Sequence, residues 1–294
     1  MDSFRRGWDF LKQSWKMALA DRDLLKPSIY ALIAGFVVSL VTFIPMALAG
    51  FLLGDSKIGQ PIIYVLGAGL IFVQYLVGYI FSAMTVYLIF GYLAEGDGRM
   101  DKAWAIVRRD FWDIASLAAA STLVNLIKGA IRGKGKSGVR NALAGLLDAV
   151  WTEATYLVLP AMVIEDINLK DGLKRATQIV KENLLLVGLS TVGVKAVTGL
   201  IGFLLGALGI GLGFGVGLGI VSAGGQAPWA WVTGIGIGIL IATPFILAAT
   251  VIGSYTTTAY HTCLYLWARD VEQAQSSGAP GQVEAPAPLR AVLP

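Results

Sequence analysis

The side chains best placed to do chemistry in this sequence are polar groups set inside long apolar tracts: Asp148, Glu153 and Lys195, with Gln74, Ser254 and His261. Charge within lipid is costly and tends to mark a pathway, a cavity or a partner. These residues fall in stripes at helical spacing. Gln74, Gly78, Ser82 and Thr85 form one stripe and Thr250, Ser254, Thr257 and His261 another, while Asp148 shares a face with Thr152 and Lys195 with Thr198. Two uses are open. The hydroxyls can hydrogen-bond between neighbouring helices, with Asp148 and Glu153 on a surface hairpin. Alternatively the stripes line a polar cavity or pore, beside helices interrupted at Pro45, Pro160 and Pro244. On charge alone, Asp148 and Lys195 form a mutually compensating pair.

Covalent chemistry has less to work with. A single histidine and a single cysteine occur together as "HTC" at 261–263, and neither HExxH nor GxSxG is present, so no catalytic or metal-ligating residue is assigned. His261 reads as a polar packing residue near the inner interface, and the lone Cys263 has no partner for an intrachain disulfide. The spacing G-x-G-x-x-G does occur at "GKGKSG", Gly133 to Gly138, but no strand precedes it. In "AIRGKGKS", Ala130 stands where a phosphate-binding loop needs its first glycine. The same region carries Lys128, Arg132, Lys134, Lys136 and Arg140, a basic cluster suited to anionic headgroups if it faces the cytoplasm. No enzyme, cofactor or nucleic-acid partner is expected.

The elements that must position these groups are membrane helices. Hydrophobic residues make up 56% of the 294-residue chain and charged ones 14%, where a soluble protein carries about a quarter; mean hydropathy is +0.69. No Asp, Glu, Lys or Arg occurs in 27–54, 58–94 or 196–268, and at roughly 20 residues per crossing these tracts hold at least four spans. Acidic residues near the N-terminus and no small-residue cleavage site argue against a removable leader. Lys and Arg number six in 1–26, four in 99–109, five in 128–140 and four in 170–181, with none in 222–228. Short basic loops stay cytoplasmic. The expectation is a multi-pass protein of the cell membrane with both termini and the 168–183 segment inside, and two spans in each of 28–94 and 184–268.

Residues 101–164 then cross twice or not at all. "DIASLAAASTLVNLIKGAI" and "NALAGLLDAVWTEATYLVLPAMVIED" are apolar and long enough, yet two crossings leave "KGAIRGKGKSGVR" outside, against the charge rule. A helical hairpin entering the membrane is favoured over one lying on its surface, giving about six membrane helices. The fold class is therefore all-α: a polytopic membrane bundle occupying 1–272 as a single domain, with four firm spans and a central hairpin. A Pro-, Ala- and Gly-rich tail at 273–294 is expected to be disordered.

Two segments look interfacial. In residues 1–26, Phe4, Trp8, Leu11, Trp15 and Leu19 recur at three- and four-residue spacing, with Arg5, Asp9, Lys12 and Lys16 elsewhere around the helix; such a helix lies flat at the headgroups. In "NLKDGLKRATQIVKEN", Leu173, Ala176 and Val180 share a face, with Asn168 or Asp171 as N-cap. Each precedes an outgoing span, so flat helix, outward span and inward span occur once before the hairpin and once after. Thr85, Tyr87, Tyr92 and Leu93 align with Thr258, Tyr260, Tyr265 and Leu266, as a same-orientation repeat would.

The run "GALGIGLGFGVGLGIV", 206–221, places glycine at every second position from Gly209 to Gly219. On a helix Gly209, Gly213 and Gly217 share one face and Gly211, Gly215 and Gly219 the opposite one, so neighbouring backbones can approach on both sides. Tight packing within a subunit and a subunit–subunit contact or bending point both fit. At about 1.5 Å per residue, 184–221 overruns a ~30 Å core, so a break or a projection is expected.

"SFRRGWDFLKQSWKMALADRDLLKP" followed by a span, and "ATYLVLPAMVIEDINLKDGLKRATQIVKEN", resemble the two recurring motifs of a family of prokaryotic multi-spanning membrane proteins catalogued only as a domain of unknown function. The resemblance implies the fold and a membrane location and carries no catalytic residues. The function expected is that of a non-enzymatic scaffold or lipid-interacting membrane protein. Membrane lipid is its partner, and homo-oligomerisation through the Gly-rich helix is open. The competing class is a transporter or channel with a polar cavity.

Overall fold

Lipid offers no partner to a bare backbone N–H or C=O, so a chain this apolar satisfies its backbone internally, as helix. The computed structural model describes residues 2–53, 56, 59–133, 138–182, 184–225, 227–277 and 283–290. Among these residues the chain is all-α with no strand, and six of its helices are long and apolar enough to cross a membrane. The elements in chain order are α1 (Asp2–Ala20), a short 3-10 turn (Arg22–Leu24), α2 (Lys26–Leu53), α3 (Gly59–Glu95), α4 (Met100–Arg109), α5 (Phe111–Gly133), α6 (Gly138–Glu165), α7 (Leu169–Glu182), α8 (Leu184–Ala223), α9 (Pro228–Ser276) and α10 (Ala287–Arg290).

The order repeats. An amphipathic helix followed by two apolar ones occurs as α1–α2–α3, as α4–α5–α6 and as α7–α8–α9. The sequence pattern shows two such rounds flanking a bare hairpin; the third appears because "MDKAWAIVRR" forms α4 ahead of that hairpin. The joints correspond too. The residue after α3 is Gly96 with φ 79°, and the residue after α6 is Asp166 with φ 54°. Both close the second apolar helix of their round in the left-handed region that glycine enters freely and Asp tolerates.

The helices answer three expectations about interruption. Pro45, Pro160 and Pro244 lie inside α2, α6 and α9 without ending them, as apolar surroundings and neighbouring groups allow for a single lost backbone bond. Helix α8 has no break: its 40 residues run unbroken for about 60 Å, so the excess over a membrane core projects. The tail is also not wholly irregular, since α10 forms and Leu289 is fully buried.

The chain forms two compact units where the sequence suggests one domain over 1–272. The first comprises 1–17, 185–260 and 287–294. Here α1 does not simply lie on headgroups. Its Gly7, Phe10, Ser14 and Met17 face is buried. The Phe10 ring meets Tyr260 edge-on at 5.5 Å, Trp15 Nε1 donates to Thr256 Oγ1 at 3.1 Å, and Tyr255 Oη donates to the Ser14 carbonyl at 3.0 Å. A methyl group on Gly7 would run into the Gly193 carbonyl of α8. The stripe expected to meet lipid, Phe4, Trp8 and Leu19, stays exposed on an adjoining face beside Arg5, Lys12 and Lys16. One helix thus carries a packed face and, adjoining it, an exposed aromatic and basic one.

In the same unit, Gly209, Gly213 and Gly217 of α8 are buried against α9. A methyl on Gly217 would stand 2.8 Å from the Gly234 carbonyl oxygen, one on Gly209 2.7 Å from Phe245 Cβ, and one on Gly213 would overlap the Gly238 carbonyl. Reciprocally, a methyl on Gly238 would lie 2.7 Å from the Gly213 oxygen. Backbone touches backbone, as in small-xxx-small pairs. The opposite row, Gly211, Gly215 and Gly219, has no neighbour within 4 Å. Close approach is therefore made on one side and not both.

The second unit comprises 18–184 and 261–286. Helices α2 and α3 pair, α3 also packs on α4, α5 and α6, and α7 packs on α6. The core is apolar, with Met84, Leu88, Ile89, Ile114, Leu117, Leu157 and Met162 fully buried. Asp21 ties two turns together: Oδ1 accepts from Asp23 N and Oδ2 from Gly98 N at 2.7 Å, where any Cβ on residue 98 would collide with that oxygen. Asn168 is the N-cap of α7, its Oδ1 accepting from Asp171 N at 3.1 Å. The buried face of α7 is Gly172, Ala176 and Ile179, one residue round from the predicted stripe, because Gly172 lets Val158 and Met162 of α6 come close.

Candidate polar cavity

Helices α3, α5 and α6 each bring a polar stripe to one place. Tyr75, Tyr79 and Ser82 come from α3, Ser121, Asn125 and Lys128 from α5, and Asp148, Trp151, Thr152, Thr155 and Tyr156 from α6, around a partly enclosed cavity of about 200 Å³. The i, i+4 and i+7 spacings put each set on one helix face. Most of the lining is bonded to itself. Ser121 Oγ is the hub, 2.7 Å from Tyr79 Oη and accepting from Trp151 Nε1 at 2.9 Å. Asn125 Nδ2 donates to Tyr75 Oη at 3.1 Å, and the Tyr75 and Tyr79 rings stack with centroids 5.8 Å apart. Lys128 Nζ donates to Asp148 Oδ1 at 2.5 Å.

That last contact revises two expectations. The partner of Asp148 is Lys128, not Lys195, so Lys128 is paired within the cavity wall where the sequence groups it with the basic cluster. A carboxylate and an ammonium in apolar surroundings gain more from each other than either does alone. Of the other cluster members, Arg132 and Arg140 sit near the facing ends of α5 and α6, while Lys134 and Lys136 lie outside the described residues.

Next to the cavity, the His261 ring stacks on Tyr156 with centroids 4.5 Å apart, and its Nε2 lies 3.2 Å from Glu153 Oε2. The structure thus brings Asp148, Glu153 and His261 into one neighbourhood, with His261 in the packing role its surroundings suggest. Gln74 stands apart, its Nε2 donating to Gly35 O at 3.1 Å and Ser39 Oγ at 2.8 Å, a tie between α2 and α3. Lys195 and Ser254 belong to the other unit and lie on exposed faces of α8 and α9. Sequence reasoning missed Tyr75, Tyr79, Ser121, Asn125 and Trp151. The heptad-like spacing Ser121, Asn125, Lys128 inside an apolar helix was the signal that could have found three wall positions.

Where α6 ends, a charged cluster fastens it to α7 and the last part of α9. Arg175 Nε donates to Glu165 at 3.3 Å and its Nη1 to Glu272, and Tyr265 Oη donates to the same Glu165 oxygen at 2.5 Å. Burial alone would lower the Arg175 pKa, but the hydrogen bonds to these partners outweigh it and raise the value, so this cation holds its charge throughout. Nearer the start of α7, the bond from Lys174 holds the Asp171 carboxyl below its usual range.

Among the described residues no group of three or more His, Cys, Asp and Glu is arranged to hold a metal ion. No protein-family model matches the chain, and no curated protein matches it.

Proposed function

We propose that this is a non-enzymatic, lipid-interacting protein of the cell membrane that holds a small polar group in the α3/α5/α6 cavity. The observation that carries the reading is the cavity itself, a polar wall with an ion pair between helices that are otherwise apolar. Holding rather than transforming is favoured by the partners of its hydroxyl hub: Ser121 is bonded to Tyr79 and Trp151, neither of which is a base for a nucleophile. Lipid is the natural partner, since α1 presents Phe4, Trp8 and Leu19 beside Arg5, Lys12 and Lys16. On this reading the termini are cytoplasmic, the chain belongs to the multi-spanning family whose motifs it resembles, and the open Gly211, Gly215 and Gly219 row is the face available to a second copy.

Transport is the second reading, favoured by the polar residues that run along α6 from Asp148 to Tyr156. Reconstituted vesicles separate the two: retention of entrapped ions and small polar solutes, with saturable binding to the protein, supports holding. A solute flux lost in Asn125→Leu would replace it with transport. Topology is tested with single cysteines at Lys12 and Lys174 in a Cys263→Ser background. Labelling only after permeabilisation is expected, and labelling of either from outside reverses the orientation.

A further inference from the structure

Among the described residues, Lys128 and Asp148 are the only charged ones on the cavity wall, and they have opposite sign. We infer that the cavity takes a zwitterion, a ligand carrying an ammonium and an oxyanion, with its oxyanion toward Lys128 and its ammonium toward Asp148. The inference rests on the reading of the cavity as a holding site and names what is held.

Charge balance is the first support. The wall is neutral as it stands, so a net cation or anion would bring an uncompensated charge into apolar surroundings, whereas a zwitterion brings none. Unused bonding capacity is the second. Lys128 spends one of its three N–H donors on Asp148 Oδ1, and Asp148 Oδ2 accepts nothing from the described side chains. The pair therefore offers a donor and an acceptor side by side, the pattern a zwitterion complements. Exposure is graded in the same sense: the Asp148 side chain is 50% exposed and that of Lys128 14%, so the acceptor is reached first. The adjoining Tyr75 hydroxyl, which accepts from Asn125, keeps its own proton to donate, and the Tyr and Trp rings supply faces that tolerate an ammonium.

Size and depth limit the ligand further. About 200 Å³ is below the range of roughly 300–1,000 Å³ that takes drug-sized molecules, and suits a headgroup or an amino-acid-sized solute. Lys128 lies in the last two turns of α5 and Asp148 in the third turn of α6, towards the turn that joins them. Helix ends lie where headgroups are.

The test uses the full chain in a maltoside detergent, read by calorimetric titration. The probes are dihexanoyl phosphatidylethanolamine, glycerophosphoethanolamine, ethanolamine, glycerol phosphate and inositol. Both zwitterions should bind saturably, and ethanolamine or glycerol phosphate at least tenfold more weakly. Tighter binding of the lipid than of its chain-free headgroup identifies a membrane source, and equal binding identifies a free solute. The double variant Lys128→Met/Asp148→Asn leaves no unpaired charge, so it should keep its melting temperature and lose at least tenfold in affinity. The exchange Lys128→Asp/Asp148→Lys should retain binding. Ethanolamine or glycerol phosphate matching the zwitterions, or undiminished affinity in the neutral double variant, overturns the inference. If a double variant does not fold, the probe series on the unaltered chain still decides. Binding of inositol alone removes the zwitterion but leaves the holding site, and binding of no probe removes both.

Discussion

Two places where helices meet show two ways of holding a membrane protein together. At the α8/α9 seam, Gly209, Gly213 and Gly217 let backbone reach backbone, with the side chains of Val221, Ala242 and Phe245 beside them. Around the α3/α5/α6 cavity the contact is made by side-chain tips: Tyr79, Ser121, Trp151, Asn125, Tyr75 and the Lys128–Asp148 pair. Lipid tails are as apolar as leucine, so burying apolar surface gives helices little reason to associate. Close packing and polar bonds are what remain. A seam of the first kind excludes volume where its glycines touch, and the hollow beside them is lined by glycine and apolar side chains such as Ile210, Phe214 and Trp231. A junction of the second kind leaves gaps between unequal side chains, and one of those gaps is the cavity.

The comparison breaks if volume does not matter at the seam. Replacing Gly213 with Ala should already cost about 1–3 kcal/mol, because the new methyl overlaps the Gly238 carbonyl and the helices must separate. Leu should cost more. Gly211→Leu, on the open row, should leave the melting temperature unchanged in detergent. The sequence alone suggests that Ala would be mild at Gly213, and equal tolerance of Ala at 211 and 213 would restore that view.

Polar deletion should hurt the cavity where added volume hurts the seam. Ser121→Ala strands the Trp151 N–H and leaves the Tyr79 hydroxyl with Thr155 alone, a loss of about 1–2 kcal/mol in thermal unfolding. Ser222→Ala, which removes a bond only to its own helix, should cost less than half of that. A smaller effect is expected from Lys128→Met alone, about 1 kcal/mol, since the half-exposed Asp148 recovers part of its solvation. Adding Asp148→Asn should restore most of it, and simple additivity of the two losses would mean the ions do not interact.

The smallest effect lies outside both regions. The Asp171 carboxyl is held below its ordinary value by the bond from Lys174, with Asn168 assisting. A depressed folded value means that its stabilising contribution is fully present above the unfolded value of 3.8 and is lost as pH falls through the lower, folded one. Amide exchange at the start of α7, compared with that of α4, should rise only as pH falls below 3.8 and not between pH 5 and 7. Protection of α7 independent of pH down to 2 would show that the bond contributes nothing.

The two regions were not equally legible in the sequence. Four spans and the all-α class followed from where charges are absent, because that pattern follows bilayer thickness, while the α5–α6 hairpin, which carries Lys128, Asp148 and Glu153, was legible only from its length and apolarity. The glycine seam was legible as a packing surface, but which row would be filled depended on Gly234 and Gly238 arriving from α9. The cavity was hardest to see. Asp148 stood out, but charge alone suggested Lys195 as its partner, and only the pairing of α5 with α6 brings Lys128 to it. For α1, periodicity marked the stripe from Phe4 to Leu19 and missed the buried one, since Gly7 and Ser14 are too small or too polar to register as a core face.

Helix α1 also sets a schedule for the chain as it is made. The residues that receive it, Gly193, Tyr255, Thr256 and Tyr260, are encoded far downstream, and the bonds of Trp15 and Ser14 each span 241 positions. At about 5–20 residues per second, a ribosome needs roughly 12 to 50 s to deliver them. For that interval Phe10 and Met17 have no protein to cover them, while the adjoining Trp8 and Lys12 face can already rest on lipid. On the lipid-interacting reading proposed above, the bilayer is a holding surface for the first helix synthesised, and docking of α1 is one of the last events in assembly. A nascent chain stalled before residue 250 should therefore leave α1 open to protease, and release of the full chain should close it.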